Sequence, residues 1–452
     1  MRMLIAEAQA LVRLAVPIVI GLAASTLLGI TDTLMLAPLG ETVLAAAALT
    51  SSALIIFYAG IYGALSVIGV AIGHAYGARD DALVSRQTKT GLWFGAALGI
   101  AAALAMSAAR FALPWLGQPE DVLAALPEYW AAMLILLLPF ALLIALKQMY
   151  DAVGKPWLGV AFSFLGVALN IPLNYVLIYG LGPIPALGLT GAGIASLVAE
   201  SAAFLAGWLY WRRARSMARL RQPTDAVLSD VRRMMSDGAP LGVMYAAETG
   251  AYALTGLMLG WFGATALAAH QVVGSVGIVL YMLPLGMAAA VSIRIAQAAG
   301  QGRSDDVRPI AIAAFALVTL WTGLSTVFLV AAGSTIAEAI AGDGAIAALA
   351  ASMFITTAAM QILDGLQSTA LGALRGIRDF RFPAALSIVV YWLIALPVAY
   401  LVAFPLGFGP AGLWAGFGIG LAIAAVVLLL RFARLTRQTS SIAAPTRDAQ
   451  IA

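Results

Sequence analysis

The sequence contains no cysteine and only two histidines, His74 and His270, among its 452 residues. The lack of cysteine excludes disulfide bonds, thiol catalysis and cysteine-ligated metal sites. There is no His-Glu-x-x-His run, and no motif for a serine nucleophile stands out. We therefore predict that the protein is not an enzyme and that it carries no cofactor.

Charge is also scarce. Only 10% of the residues are charged and 62% are hydrophobic, and the mean hydropathy is +0.97. A soluble domain carries about 25% charged residues. The composition predicts an integral membrane protein with no room for a separate soluble domain. Its first apolar run is too long for a signal-peptide core, so we interpret it as a retained helix.

Polar breaks and turn residues divide the chain into twelve apolar segments. Each has about 20 residues or more, which suits a membrane-spanning helix. The segments cover residues 9–37, 43–75, 88–112, 127–151, 157–181, 188–211, 233–262, 264–299, 307–333, 345–374, 383–405 and 410–432.

The lysines and arginines indicate the orientation of these spans. All 25 except Arg110 are assigned to one side of the membrane, including Lys147 in the fourth connection and Arg375 in the tenth. Short cytoplasmic loops carry an excess of basic residues, so both termini are predicted to be cytoplasmic. The predicted parts are an N-terminal lobe (1–211), a cytoplasmic linker (212–232), a C-terminal lobe (233–432) and a cytoplasmic tail (433–452) that contains Arg447.

The two halves of the chain share an internal repeat at a nearly constant offset. The matched pairs, in order, are Pro17 with Pro240, Gly40 with Gly263, Gly77 with Gly300, Gly154 with Gly376, and Gly188 with Gly409. Six spans in each half is an even number, so both halves cross the membrane in the same sense. The sequence predicts two parallel six-helix repeats with a substrate path between them.

Four carboxylates stand alone inside uncharged stretches: Asp32, Glu200, Glu248 and Asp364. An acid at the centre of a membrane helix costs roughly 2.5–3.5 kcal/mol on insertion scales. Such residues normally face a protein interior or a wet cavity, where they bind ions or cationic solutes. They are the first candidates for function.

Asp32 has two amides as candidate partners. Asn170 and Asn174 lie one turn apart on the fifth span, with Pro172 between them. Together with Asp32 they would form an oxygen-rich site for Na⁺ or a hydrogen-bonded site for a proton. A polar clamp between helices is the structural alternative.

Glu248 and Asp364 lie well inside their spans and could meet in the second half. Two close carboxylates in a low dielectric cannot both stay ionised cheaply, so a proton or a monovalent cation such as Na⁺ would neutralise them. A pair hydrogen-bonded for packing is the alternative. Glu200, near Ser196 and Ser201, either joins the Asp32 network or satisfies a helix contact.

Methionines and tyrosines of the second half are candidates for a substrate path, because Met adapts to variable ligand shapes. These candidates are Met244, Tyr252, Met258, Tyr281, Met282, Met287 and Met360.

Taken together, the chain resembles the multidrug and toxic compound extrusion (MATE) transporters, most closely the NorM-type bacterial branch. The resemblance rests on the ordered series Leu14–Pro17, Thr31–Thr33, Gly77–Asp80, Leu173–Tyr175, Glu248, Gly300–Gly302, Asp364 and Leu374–Gly376.

The resemblance implies an all-α antiporter of twelve helices around a central cleft. It implies a transporter of the bacterial inner membrane that exports amphipathic organic cations, driven by Na⁺ or H⁺. Antibiotic resistance would follow from that export. It assigns cation coupling to Asp32, Glu248 and Asp364, with Asn174 as a polar partner. We expect contact with membrane lipids, a monomer and no nucleic-acid partner.

A flippase for lipid-linked precursors, built on a related architecture, is the alternative function. Such a protein would favour an anionic pyrophosphate and would therefore need intramembrane Arg or Lys, whereas the isolated charges here are acidic.

Overall fold

The computed structural model of the protein describes residues 2–342 and 344–442, and this part of the chain is almost entirely α-helical. The predicted tail lies partly outside the described residues, as does Arg447. In chain order the α-helices are α1 (Arg2–Leu36), α2 (Glu41–Gly77), α3 (Asp81–Arg110), α4 (Glu120–Ala125), α5 (Pro127–Ala152), α6 (Pro156–Tyr179), α7 (Gly188–Arg213), α8 (Leu228–Gly260), α9 (Ala264–Gly300), α10 (Val307–Ala341), α11 (Ala345–Gly376), α12 (Arg381–Val389), α13 (Leu396–Ala403) and α14 (Gly409–Ile442).

The predicted all-α membrane fold is confirmed, since each predicted span coincides with a helix of the described residues. Eleven helical stretches in this part are long and apolar enough to cross a membrane. The one predicted span that is not among these eleven is the seventh (233–262), which corresponds to α8. It forms a helix of 33 residues but is more polar, with Asp237 near its start and Glu248 in its interior. Helix α3 begins at Asp81, earlier than predicted, because the Asp80 carboxylate caps it by accepting from the Leu83 amide at 2.8 Å.

The eleventh span is one helical stretch with a π-helical segment, Val390–Ala395, between α12 and α13. This segment ends two residues before Pro397, which has no amide hydrogen for the helical ladder. Tyr391 in the segment is fully buried. Its hydroxyl and the Gln367 side-chain amide of α11 exchange hydrogen bonds of 2.8 and 3.1 Å.

The internal repeat is visible in the backbone. Gly40 before α2 and Gly263 before α9 adopt nearly the same left-handed conformation, with φ of 107° and 102°. A side chain is strained at such a φ, which explains why glycine recurs at an offset of 223 residues.

One predicted match of the repeat is wrong by two residues. Gly154 (φ +74°) has its conformational counterpart in Arg378 (φ +64°) rather than in Gly376. After both turns, the amide of the next residue, Lys155 or Asp379, donates back to the end of the preceding helix at 2.8 and 3.0 Å. Sequence matching selected Gly376 because the second copy places an arginine at the left-handed position.

The described residues form two compact units. The N unit comprises residues 17–249, and the C unit comprises residues 1–16 and those from Gly250 onward. The divisions lie inside α1, at Pro17, and inside α8, so the predicted linker 212–232 belongs wholly to the N unit. The lobe boundaries at residues 211 and 233 stay a prediction.

Several basic residues that were assigned to connections lie inside helices instead, and two of them, Lys147 and Arg375, lie near the C-terminal ends of long helices. Lys147 is in the last two turns of α5, and Arg375 is in the last turn of α11 with 2% exposure. Arg375 donates to the Ala288 carbonyl of α9 at 3.2 Å. Local composition could not distinguish these positions from loops, because both lie close to helix ends.

Small residues bring helices together inside each unit. In the C unit, a Cβ on Gly372 of α11 would collide with the Ala288 backbone of α9. In the N unit, a Cβ on Gly191 of α7 would collide with the Leu177 backbone of α6. Close backbone approach through glycine is typical of membrane helices, which gain stability from van der Waals packing. The contact between Gly191 of α7 and Leu177 of α6 helps to position the candidate site.

Candidate functional site

Asp32 is the centre of a polar network in the N unit. Its side chain is half-buried on α1. Asn174 on α6 donates from Nδ2 to Oδ1 of Asp32 at 2.5 Å, and Ser196 on α7 donates from Oγ to Oδ2 at 2.9 Å. Two helices, α6 and α7, therefore direct polar groups to one carboxylate on a third.

Asn170 closes this network. Its Oδ1 accepts from Asn174 at 3.0 Å, and its Nδ2 donates to the hydroxyl of Ser196 at 3.0 Å. Both asparagines are fully buried and Ser196 is 2% exposed. The structure thus brings together Asp32, Asn170 and Asn174, and it adds Ser196. No local pattern linked Ser196 to Asp32, because their contact joins residues 164 positions apart.

The end of α1 that carries Asp32 is anchored locally. Thr31 and Thr33 bond their hydroxyls to the carbonyls of Leu27 and Gly29, each at 2.9 Å, a pattern that often bends a helix. Three residues after Asp32, the Met35 carbonyl accepts from the Tyr179 hydroxyl of α6 at 2.6 Å. This bond and the glycine contact between α6 and α7 position the three helices for the network.

One acceptor in the network is free. Oδ1 of Asn174 is buried and has no hydrogen-bond partner among the described residues. The orientation of this amide follows from its neighbours, since its nitrogen donates to two oxygens, one on Asp32 and one on Asn170. Hard cations take carboxylate and amide oxygens as ligands. The Asp32 carboxylate and Oδ1 of Asn174 are therefore suitable donors for Na⁺, and the carboxylate alone suffices for a proton.

Two tyrosines that the sequence analysis did not single out interact electrostatically with Asp32. They are Tyr58 on α2 and Tyr129 on α5. Tyr129 is 4% exposed, and the Tyr58 ring lies 4.2 Å from that of Phe140. They are aromatic residues in apolar stretches, so only their position in the fold distinguishes them from packing residues.

Glu200 belongs to a different set of charges. No hydrogen bond between described residues joins it to Asp32, although it lies one turn after Ser196 on α7. It interacts electrostatically with Lys147 of α5, which also interacts with Asp151. Lys147 and Asp151 line a small pocket together with Pro17 of α1. The structure therefore places Lys147 and Asp151 beside Pro17 of α1, with Glu200 as a second carboxylate that interacts with the lysine.

Glu248 and Asp364 lie in different units. Glu248 is half-buried on α8 in the N unit, and Asp364 is half-buried on α11 in the C unit. One turn before Asp364, Met360 packs against Gly418 of α14. That Glu248 and Asp364 act as a pair stays a prediction.

Most of the candidate path methionines are packed in cores. Met244, Met258, Met287 and Met360 are between 0% and 7% exposed, so they would contact a substrate only after a rearrangement.

The other three path candidates are partly buried. The ring of Tyr252 packs 4.9 Å from that of Phe417, and the Tyr281 hydroxyl lies 3.2 Å from Oγ of Ser368. Met282 lies beside Tyr281 in α9. The path through these residues stays a prediction.

Among residues 2–342 and 344–442, no cluster of three or more His, Asp or Glu side chains could hold a metal ion. A cation at Asp32 would therefore depend on one carboxylate and neutral oxygens.

The MatE family profile matches residues 17–176 and 240–401, which correspond to the two copies of the repeat. The chain is 34% identical over 440 residues to a probable multidrug resistance protein NorM of Deinococcus radiodurans, covering 96% of each chain. It is 33% identical over 445 residues to the multidrug resistance protein NorM of Burkholderia vietnamiensis, covering 96% of this chain and 95% of that protein.

Solved structures share the fold. A crystal structure of MATE in the bent conformation superposes with a TM-score of 0.85 at 20% identity, covering 98% of both chains. At that identity the likeness concerns the fold alone.

Proposed function

This chain belongs to the MatE family of multidrug efflux transporters, and on that premise we propose that it is a secondary active antiporter. It exports amphipathic organic cations in exchange for Na⁺ or H⁺ that moves inward. The observation that supports the proposal is the Asp32 network, which offers a half-buried carboxylate and the unpaired amide oxygen of Asn174. One isolated negative charge suits two cations that bind in turn.

The proposed cycle is alternating access. In the outward-open state, a coupling ion binds at Asp32, or at Glu248 and Asp364, and releases the drug cation. Loading the ion neutralises the carboxylate and favours the inward-open state, where a drug cation from the cytoplasm or inner leaflet replaces it. Moving one charge through 100 mV is worth about 2.3 kcal/mol, enough to bias the exchange.

We assign the protein to the bacterial inner membrane with both termini cytoplasmic. The supporting observation is the concentration of lysines and arginines at one set of helix ends and connections. In this orientation the residues of the 212–232 segment face the cytoplasm. Antibiotic resistance would follow from export of cationic drugs.

Proteoliposomes test the proposal with ethidium as the transported cation. A Na⁺ gradient and a pH gradient are imposed one at a time, and ethidium efflux is measured for the unchanged protein and for Asp32→Asn. The substitution keeps the shape of the side chain and one of its two acceptor oxygens, and the Ser196 hydroxyl can turn to accept from the new amide nitrogen, so folding should persist. Coupled efflux should fall to the rate of protein-free vesicles.

The matched control is Asp121→Asn, the same chemical change at an exposed residue of α4 that accepts a hydrogen bond from Thr42 at 3.1 Å. It should transport like the unchanged protein. Efflux by Asp32→Asn that still follows either gradient would contradict the carboxylate mechanism. Glu248→Gln and Asp364→Asn, assayed in the same way, test the second site.

A further inference from the structure

A cleft of about 830 Å³ lies in the N unit, away from the Asp32 network. Its volume is in the range of small-molecule sites, which are about 300–1,000 Å³. Helices α3 and α7 and the segment after α7 form its walls. We call it the basic cleft, and the lining residues that define it are Lys89, Trp93, Trp208, Trp211, Arg212 and Arg221.

One part of the basic cleft is aromatic and apolar. Trp93 of α3 is 66% exposed, and it lies beside Leu92 in a helix that is apolar enough to span a membrane. Trp208 and Trp211 of α7 also line the cleft. Tryptophan is enriched where a membrane helix meets the headgroup region, because its ring combines an apolar body with a polar N–H. This wall therefore suits a molecule with an apolar chain.

The basic cleft also carries positive charge. Lys89, Arg212 and Arg221 line the cleft, and no acidic residue does. Lys89 donates to the Thr224 carbonyl, Arg221 donates to a carbonyl of its own segment at 3.0 Å, and the Arg212 guanidinium lies 4.9 Å from the Trp208 ring centroid. Among the described residues, no carboxylate forms an ion pair with any of the three.

Neighbouring arginines are neutralised. Arg86 pairs with Asp230 at 2.5 Å, and Arg219 pairs with Asp81 at 3.0 Å. The same region thus provides acidic partners for Arg86 and Arg219 but none for the three basic residues of the cleft. The three side chains of the cleft keep their charge available for an anion.

We propose that the basic cleft binds an anionic phospholipid, with its phosphate at Arg212 and Arg221 and an acyl chain along Trp93. The charge selects an anionic group, and the aromatic wall favours a lipid over a water-soluble phosphate compound. Basic pockets between membrane helices on the cytoplasmic side bind anionic headgroups. A bound lipid would tie the segment after α7 to α3.

Purified full-length protein in detergent allows a direct test. Native mass spectrometry, titrated with dioleoylphosphatidylglycerol or dioleoylphosphatidylcholine, gives the apparent Kd for each lipid, and inorganic phosphate serves as a soluble competitor. Phosphatidylglycerol should bind several-fold more tightly than phosphatidylcholine. In Arg212→Gln/Arg221→Gln, binding of phosphatidylglycerol should weaken about fivefold for each removed charge.

The matched control is Arg213→Gln/Arg232→Gln, which removes two exposed charges that do not line the cleft. It should change the Kd less than twofold. If the double variant of the cleft unfolds, Arg212→Gln alone replaces it, because Arg212 is exposed.

Three results would overturn the proposal: equal affinity for the two lipids, equal weakening in the cleft and control variants, or displacement of phosphatidylglycerol by inorganic phosphate at a similar concentration. The last result would identify the occupant as a soluble phosphate compound.

Discussion

Replacing Ser196 with alanine tests how the network controls the charge of Asp32. The change removes a hydroxyl that donates to Asp32 Oδ2 at 2.9 Å and accepts from Asn170 Nδ2 at 3.0 Å. A hydrogen bond to a charged group contributes about 1.5–3 kcal/mol, and an orphaned buried donor costs about 1–3 kcal/mol. The two losses act on different properties.

The lost bond to Asp32 changes cation binding. The hydroxyl stabilises the ionised carboxylate when no cation is bound, whereas a bound cation takes over that role. Removing the hydroxyl therefore destabilises the empty site more than the loaded site. A difference of at least 1.4 kcal/mol corresponds to about tenfold tighter binding of the coupling cation. The orphaned donor of Asn170 is present in both states, so it lowers only the folding stability.

The assay is ethidium efflux in proteoliposomes, measured against Na⁺ at constant pH and against proton concentration without Na⁺. The half-maximal concentration of the coupling cation should fall about tenfold. Thermal unfolding should report a stability loss of about 1–3 kcal/mol. Ser201→Ala is the control, since it makes the same change on α7 without a hydrogen bond to Asp32. Equal cation affinity in the two variants, or weaker binding in Ser196→Ala, would refute the reasoning.

Two further predictions concern stability in the C unit. Gly372→Val should lower the melting temperature, because its Cβ would collide with the Ala288 backbone and overpacking typically costs about 1–3 kcal/mol. The control is Gly323→Val, which should be tolerated because no atom lies within 4 Å of a Cβ at that position. Equal melting temperatures of the two variants would contradict the predicted collision. Arg294→Gln should lower the free energy of unfolding by about 3–5 kcal/mol, because it leaves a buried carboxylate without its partner. That carboxylate is Glu7, which is 6% exposed and accepts two hydrogen bonds of 2.9 Å from Arg294. The double variant with Glu7→Gln should recover most of that loss in chemical unfolding, and a double variant as unstable as the single one would contradict it.

The helices and the repeat could be predicted from the sequence, because their signals are local. A run of apolar residues between polar breaks defines a membrane helix without reference to any other helix. Gly40 and Gly263 recur because each turn needs a left-handed residue. The predicted helix ends were wrong where a single contact decides them, as with the Asp80 cap at the start of α3.

The candidate site was predicted in part. Asp32 is conspicuous because a charge in an apolar run is energetically unfavourable. Asn170 and Asn174 are conspicuous because they share one face of a helix. Ser196 and Tyr58 carry no comparable signal, since serine and tyrosine are ordinary in membrane helices. Lys147 was assigned to a connection because nothing local distinguishes a half-buried basic residue near a helix end from one in a loop.

The sequence by itself determined which segments span the membrane, that the chain is duplicated and which acids stand alone, because these depend on composition along short stretches. Only the tertiary structure decided which groups contact Asp32, and that Arg86 and Arg219 are paired while Arg212 and Arg221 of the basic cleft are not. The physical reason is that a hydrogen bond or an ion pair is set by distance in space. The bonds to Asp32 join residues 142 and 164 positions apart in the chain, a separation over which sequence patterns carry no geometric information.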